Sequence, residues 1–260
     1  RPILNLSYAL NYAFTGPSVT GFHVTNLLIH TLAALTLFAL LRYTLRSLKF
    51  PISPLPCDLL AFFVALLWSL HPAQTQAVTY LSQRAESLMG LFYLLTLYCS
   101  ARHFSPSPSL SSLLPLRPSA LWSITAILAC ALAMATKEVA ATAPLLVLLY
   151  DRTFVSGTFV AALRTRRRFY LALAATWLPL ALLLADVTSR GIGTSHGISS
   201  FTYALTSCRT LLHYLRLSVW PTPLIFDYGP DFVSHFTSII PQAVAILTLL
   251  AATVYAIARH

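Results

Sequence analysis

A chain of 260 residues in which 57% are hydrophobic and only 9% charged is not a soluble domain, where about a quarter of residues carry charge. Its net charge of +10 comes from 17 Lys and Arg, 15 of them Arg, against 7 Asp and Glu. These cations punctuate apolar runs as topology marks do, and they form no basic domain, which excludes a nucleic-acid binder. The composition predicts an all-α membrane protein, a polytopic helix bundle of about seven spans plus interfacial helices, forming one domain over residues 1–260.

The chain opens on Arg1-Pro2 without an initiator Met and reads as a piece truncated at its N-terminus. Residues 3–14 are too polar to span. Asn5, Tyr8 and Tyr12 share one helical face, Leu6, Leu10, Ala13 and Phe14 another, which predicts an interfacial helix ended by Gly16-Pro17. Span one covers residues 22–45, with His23, Asn26 and His30 along its first half. Arg42, Arg46 and Lys49 follow it, so this end is expected inside and the chain's start outside. Span two, residues 58–70, is short and is expected to continue into a polar stretch, residues 71–86. As one helix, that stretch places Gln76, Thr79, Gln83 and Glu86 on a single polar stripe with Arg84 beside it. Charged and amide side chains between two membrane-grade runs are costly unless they face water or a polar cavity, so chemistry is expected here.

Span three, residues 78–100, leads to a Ser- and Pro-rich connector, residues 105–118. Spans four (120–135) and five (139–150) turn at Lys137-Glu138. Arg164, Arg166, Arg167 and Arg168 form the strongest inside mark and read as topology or contact with anionic membrane lipid. Span six (170–185) exits to Asp186 and a glycine-rich loop, residues 190–200. Arg209, His213 and Arg216 stripe residues 206–220, an amphipathic helix on the outer leaflet and not a span; span seven is 239–257. Eleven Lys and Arg then fall inside and six outside, while five of the seven acids fall outside, which predicts an outward cavity with ions of both signs.

No P-loop, GxGxxG, HExxH or GxSxG is present. Cys57, Cys99, Cys130 and Cys208 lie far apart and read as apolar fillers, and His23 and His30 as helix-packing groups, so no metal site is expected. Arg84 and Glu86, with Lys137 and Glu138 at the same depth, have two readings. They tie the bundle together as ion pairs, or they line an anionic-ligand site in which Arg84 and Lys137 hold phosphate and the carboxylates orient them. His71, before Pro72, either caps its turn or lines the same cavity.

The order Arg1-Pro-x-Leu-Asn-Leu-Ser-x-Ala-Leu-Asn-Tyr12, then Gly21-Phe-His-x-x-Asn26 and His30, resembles the TMTC-type membrane O-mannosyltransferases associated with tetratricopeptide repeats, of the GT-C superfamily. The resemblance continues through His71-Pro-x-Gln-Thr-x-Ala-Val78, Gln83-Arg-x-Glu86, Lys137-Glu138, Leu149-Tyr-Asp151, His213-Tyr-Leu-Arg-Leu217, Trp220-Pro221 and Asp227-Tyr228. It implies a GT-C-like bundle in a bacterial inner membrane or endoplasmic reticulum. It implies transfer of a sugar, mannose, from a polyprenyl-phosphate donor to a hydroxyl of an acceptor protein or glycan, at the periplasmic or lumenal face. The family's essential acidic pair is expected upstream of Arg1, so the piece by itself is expected to be inactive. Gln76 stands where the family has Glu. Carried over are Arg84, Glu86, Lys137 and Glu138, with His71, as the donor-phosphate cavity. A lipid-linked saccharide flippase and a non-catalytic scaffold are the alternatives; a flippase would carry internally repeated halves, which the sequence lacks.

Overall fold

The computed structural model describes residues 1–48, 54–104, 118–188, 200–225 and 239–259. The connector at 105–117, the loop at 190–199, and Lys49, Arg117, Asp227 and Asp231 lie outside them. The described residues are helices and the turns between them, in two units, residues 1–185 and 186–260.

The first unit begins with α1 (Pro2–Thr15) and α2 (Val19–Ser47). Gly16 at φ 60° ends α1, its N–H donating to the Tyr12 carbonyl at 2.8 Å, and the Ser18 hydroxyl caps α2 by accepting from the Gly21 amide at 3.4 Å. The protein-facing side of α1 is Leu4, Ser7, Tyr8 and Asn11, and not the expected Asn5–Tyr8–Tyr12 face. Leu6, Leu10 and Phe14 are exposed, as the apolar face of an interfacial helix requires.

α3 (Pro54–Leu70) follows antiparallel to α2, joined where Arg46 grips Asp58. The polar stretch after it is not the single helix that periodicity predicted. His71 is extended before Pro72, and a 3₁₀ turn (Pro72–Gln74) leads into the five-residue α4 (Thr75–Thr79). Tyr80 is extended again, a second 3₁₀ turn (Leu81–Gln83) follows, and α5 (Arg84–Phe104) starts. The path bends by 52° between α3 and the Pro72–Thr79 segment, so Gln76, Thr79, Gln83 and Glu86 share no common helical face.

α6 (Pro118–Thr136) packs back along α5 through small residues: Ala126, Cys130 and Ala133 are wholly buried, and Cys99 and Ala101 nearly so. Small side chains let apolar helices approach closely in lipid, where packing drives association. Cys99 and Cys130 are fillers of this core. A 3₁₀ turn (Glu138–Thr142) leads to α7 (Ala143–Asp151), with Pro144 in its first turn, and a π turn closes at Gly157, φ 75°. α8 (Phe159–Thr165), α9 (Arg167–Ala175) and α10 (Trp177–Thr188) complete the unit. In the second unit α11 (Ser200–Val219) packs against α12 (Ile240–Arg259).

Among the described residues five segments are long and apolar enough to cross a membrane: Val19–Ser47, Ser119–Thr136, Glu138–Ser156, Arg167–Ala185 and Ile240–Arg259. Counting the bent α3 pair makes six, against the seven expected. The difference is span three, whose helix α5 carries Arg84, Glu86, Arg102 and His103 in its first and last turns and is less apolar than the others. Leucines along α2, α3 and α10 point outward, as a lipid-facing surface demands, and the protein is an integral membrane protein with an all-α polytopic architecture.

Candidate functional site

The end of the first unit where α5 begins is organised by Arg84. Its side chain is fully buried. Nε donates to Asn26 Oδ1 at 2.6 Å, one terminal nitrogen to the Ser7 carbonyl at 3.3 Å, and the other to Asn11 Oδ1 at 2.7 Å and the Phe22 carbonyl at 3.1 Å. The rings of Tyr8 and Phe22 lie 4.6 and 5.4 Å from the guanidinium carbon. No carboxylate touches it among the described residues; amide and carbonyl dipoles and two aromatic faces solvate the cation instead. Arg84 thereby ties α1, α2 and α5 into one cage, and its donors point at protein and not outward. Burial pushes the Tyr8 phenol up, against the opposing pull of the Arg84 charge.

The same cage completes the broken polar stretch. Breaking a helix at membrane depth leaves carbonyls without amide partners, and these must be satisfied inside the protein. Asn26 Nδ2 donates to the carbonyls of Val78 and Tyr80 at 3.3 and 3.4 Å, Tyr8 donates to that of Leu81, and Ser87 to that of Ala77 at 2.6 Å. Asn26 thus faces both ways: its oxygen takes Arg84 and its nitrogen holds the loop.

Among the four carried-over ions, the partners differ from their sequence neighbours. Glu86 pairs with Lys137, across from α5 to the end of α6, and not with Arg84. Glu138 pairs with Arg1 at 3.4 Å, and not with Lys137. Glu86 and Arg84 are two positions apart on α5, so their side chains diverge, one into the cage and one toward α6. The Lys137 side chain is 19% exposed and that of Glu86 38%, so this pair meets solvent, whereas Arg84 does not. His71 caps its own turn, Nδ1 accepting from the Ala73 amide at 3.2 Å, at the end of α3. All five residues lie at one end of the first unit. His30, further along α2, stacks on Trp68 and meets the Ser69 carbonyl through Nε2 at 3.0 Å, a packing role. Among the described residues no three His, Cys, Asp or Glu side chains gather as a metal set.

The opposite end holds a second centre. Asp151 is fully buried and accepts from Arg166 at 3.0 and 3.1 Å, from Ser156 at 2.7 Å and from the Tyr170 hydroxyl at 2.7 Å. In the sequence Asp151 closes the Leu149-Tyr-Asp151 motif and Arg166 stands in a run of arginines, with nothing to join them. Tyr8, Asn11 and Asn26 are likewise legible only as pattern residues, because their shared partner Arg84 lies far downstream, 73 positions from Asn11 and 58 from Asn26.

No family model matches the chain, and no solved structure matches it. It is similar to protein O-mannosyl-transferase Tmtc1 of Drosophila melanogaster, 28% identical over 92% of this chain and 28% of that protein. It is similar also to protein O-mannosyl-transferase TMTC4 of Homo sapiens, 33% identical over 53% of this chain and 19% of that one. Protein O-mannosyl-transferase tmtc2 of Xenopus laevis is 34% identical over 40% of this chain and 11% of its own length. The chain spans less than a third of the length of these relatives. The ordered motifs, the all-helical membrane bundle and this similarity along nearly its whole length agree: the chain is similar to the TMTC-type protein O-mannosyl-transferases.

Proposed function

We propose that the protein is a membrane mannosyltransferase, moving mannose from a polyprenyl-phosphate donor to a hydroxyl of an acceptor protein. The reaction takes place at the end of the bundle where Glu86 meets Lys137, which faces the periplasm or the endoplasmic-reticulum lumen. The names of the relatives support the transfer of mannose. The single observation that carries the site is the Glu86–Lys137 pair, a cation and a carboxylate held together at the end of an apolar bundle and still open to solvent. The orientation is supported by the opposite end, where Arg42, Arg46, Arg102, Arg152 and Arg164 to Arg168 collect as inside residues do.

In the transfer the acceptor oxygen attacks the sugar's anomeric carbon, the bond from that carbon to the phosphate oxygen breaks, and the acceptor proton passes to a carboxylate. The leaving polyprenyl phosphate needs cations placed for the charge it gains. Lys137 fills that role here, Glu86 holds its ammonium in position, and Glu138 and His71 border the donor. Arg84 is a positioning residue: it fixes α1, α2 and the start of α5, and through them the depth of Glu86. The general base is not assigned to a residue of this chain.

The test is transfer by the full-length protein in proteoliposomes from polyprenyl-phosphate-mannose. Lys137→Met is expected to cut transfer on the order of 100-fold, the scale of losing one oriented charge at a developing anion, with thermal stability unchanged. Lys137→Arg should recover a measurable part. Wild-type transfer by Lys137→Met would remove the phosphate role.

A further inference from the structure

At the end opposite Lys137 a cleft of about 710 Å³ opens between the α5–α6 pair and the start of α9. Its polar wall is Arg164, Arg167 and Arg168, with His103 and Ser119 across from them and Ile127 on its floor. A run of arginines at a helix end ordinarily marks topology, and one of this run is accounted for otherwise. Arg166 is spent on buried Asp151, its guanidinium lying 4.7 Å over the Phe104 ring. The other three are exposed and form no salt bridge among the described residues. Three uncompensated guanidinium groups therefore surround one hollow.

Two further features give the hollow a sign and a shape. α9 begins at its wall with no side-chain cap, so the first-turn amides and the positive end of the helix add to the field for an anion. His103 makes the opposite wall rigid: Nδ1 meets the Ser119 carbonyl at 2.8 Å and hydroxyl at 3.0 Å, and the ring lies 4.8 Å from that of Phe169. Beyond the arginines the lining turns apolar at Ile127 and Ala172, and the helices that carry these two, α6 and α9, also expose Ile124, Leu128 and Leu171. A soluble phosphate needs only the first part. A lipid uses both, with its phosphate on the guanidinium fork and its chains along the helices.

We propose that this cleft is a binding site for the headgroup phosphate of an acidic phospholipid, held by Arg164, Arg167 and Arg168. The site is separate from the donor end and does not depend on the transferase reading. Its ligand is a resident membrane lipid, and its readout is lipid retention, not transfer.

The full-length protein is placed in nanodiscs of phosphatidylcholine with a minor share of phosphatidylglycerol, repurified, and its retained lipid quantified. The wild type is expected to hold phosphatidylglycerol enriched on the order of tenfold over the bulk, since each arginine near a charged headgroup contributes several-fold. The triple variant R164Q/R167Q/R168Q, with Arg166 and Asp151 intact, should retain lipid at the bulk ratio, and the triple Lys variant should keep part of the enrichment. Inorganic phosphate alone, in pure phosphatidylcholine, separates the two sources: thermal protection by phosphate without any enrichment of phosphatidylglycerol assigns the site to a soluble anion and overturns the lipid assignment. Equal ratios in wild type and bulk overturn the proposal even if the Gln variant fails to fold, and so does wild-type enrichment in that variant.

Discussion

Replacing Arg84 by alanine removes the guanidinium on which three helices converge. Four hydrogen bonds to a cation, taken at the weaker end of about 1.5 kcal/mol each, sum to about 6 kcal/mol. Two aromatic faces add about 1 kcal/mol. Against this, the folded protein no longer has to hold a charge in an enclosed site, which returns several kcal/mol. The balance is a loss of about 3 kcal/mol, on the order of 10 °C in unfolding temperature. Arg84→Lys keeps the charge and loses the fork, so it should fall between. The assay is thermal unfolding of the full-length protein in detergent, with limited proteolysis at the Gly16 turn reporting release of α1. Asn11→Leu should cost about 2 kcal/mol alone by leaving the cation short of an acceptor, and little more when added to Arg84→Ala, because the two share one interaction. Additive losses, or an Arg84→Ala variant within about 0.5 kcal/mol of wild type, would refute the cage.

At the other end Asp151→Asn leaves Arg166 without its counter-charge in a buried site and should cost about 3 kcal/mol, read by the same unfolding assay. Gly21→Ala would set a methyl group 2.5 Å from the Cβ and Oγ1 of Thr15, forcing α1 from α2 at a cost of about 1–3 kcal/mol, and Gly21→Ala/Thr15→Ser should remain destabilised because the Cβ contact persists. Glu86→Gln removes a partly exposed pair and should move stability by no more than about 1 kcal/mol. Its effect should fall on transfer, through a raised KM for the donor, and a normal KM would separate Glu86 from Lys137.

Much of the architecture is written in local chemistry. Apolar runs long enough for a bilayer made the helices legible, Gly16-Pro17 and the residues around Pro72 marked their ends, and the clustering of acids placed the candidate ions at one end. Periodicity failed across residues 71–86 because it presumes one unbroken helix, and the extended His71 and Tyr80 reset the phase twice. The freed carbonyls are then claimed by Asn26, Tyr8 and Ser87, side chains that show no mark of this duty in the sequence.

Pairing was the part that only the tertiary structure decided. Arg84 and Glu86 look like partners in one dimension, yet a helix sends neighbouring side chains apart, so one enters a cage of amides and rings and the other crosses to Lys137. Every residue carries a carbonyl, so acceptors such as those of Ser7 and Phe22 become specific only when packing brings them to the guanidinium. The sequence by itself determined that polar groups had to be sheltered from lipid. Which of them stay open to a ligand and which are used up in holding helices together depends on how α1, α2, α5 and α6 pack around them.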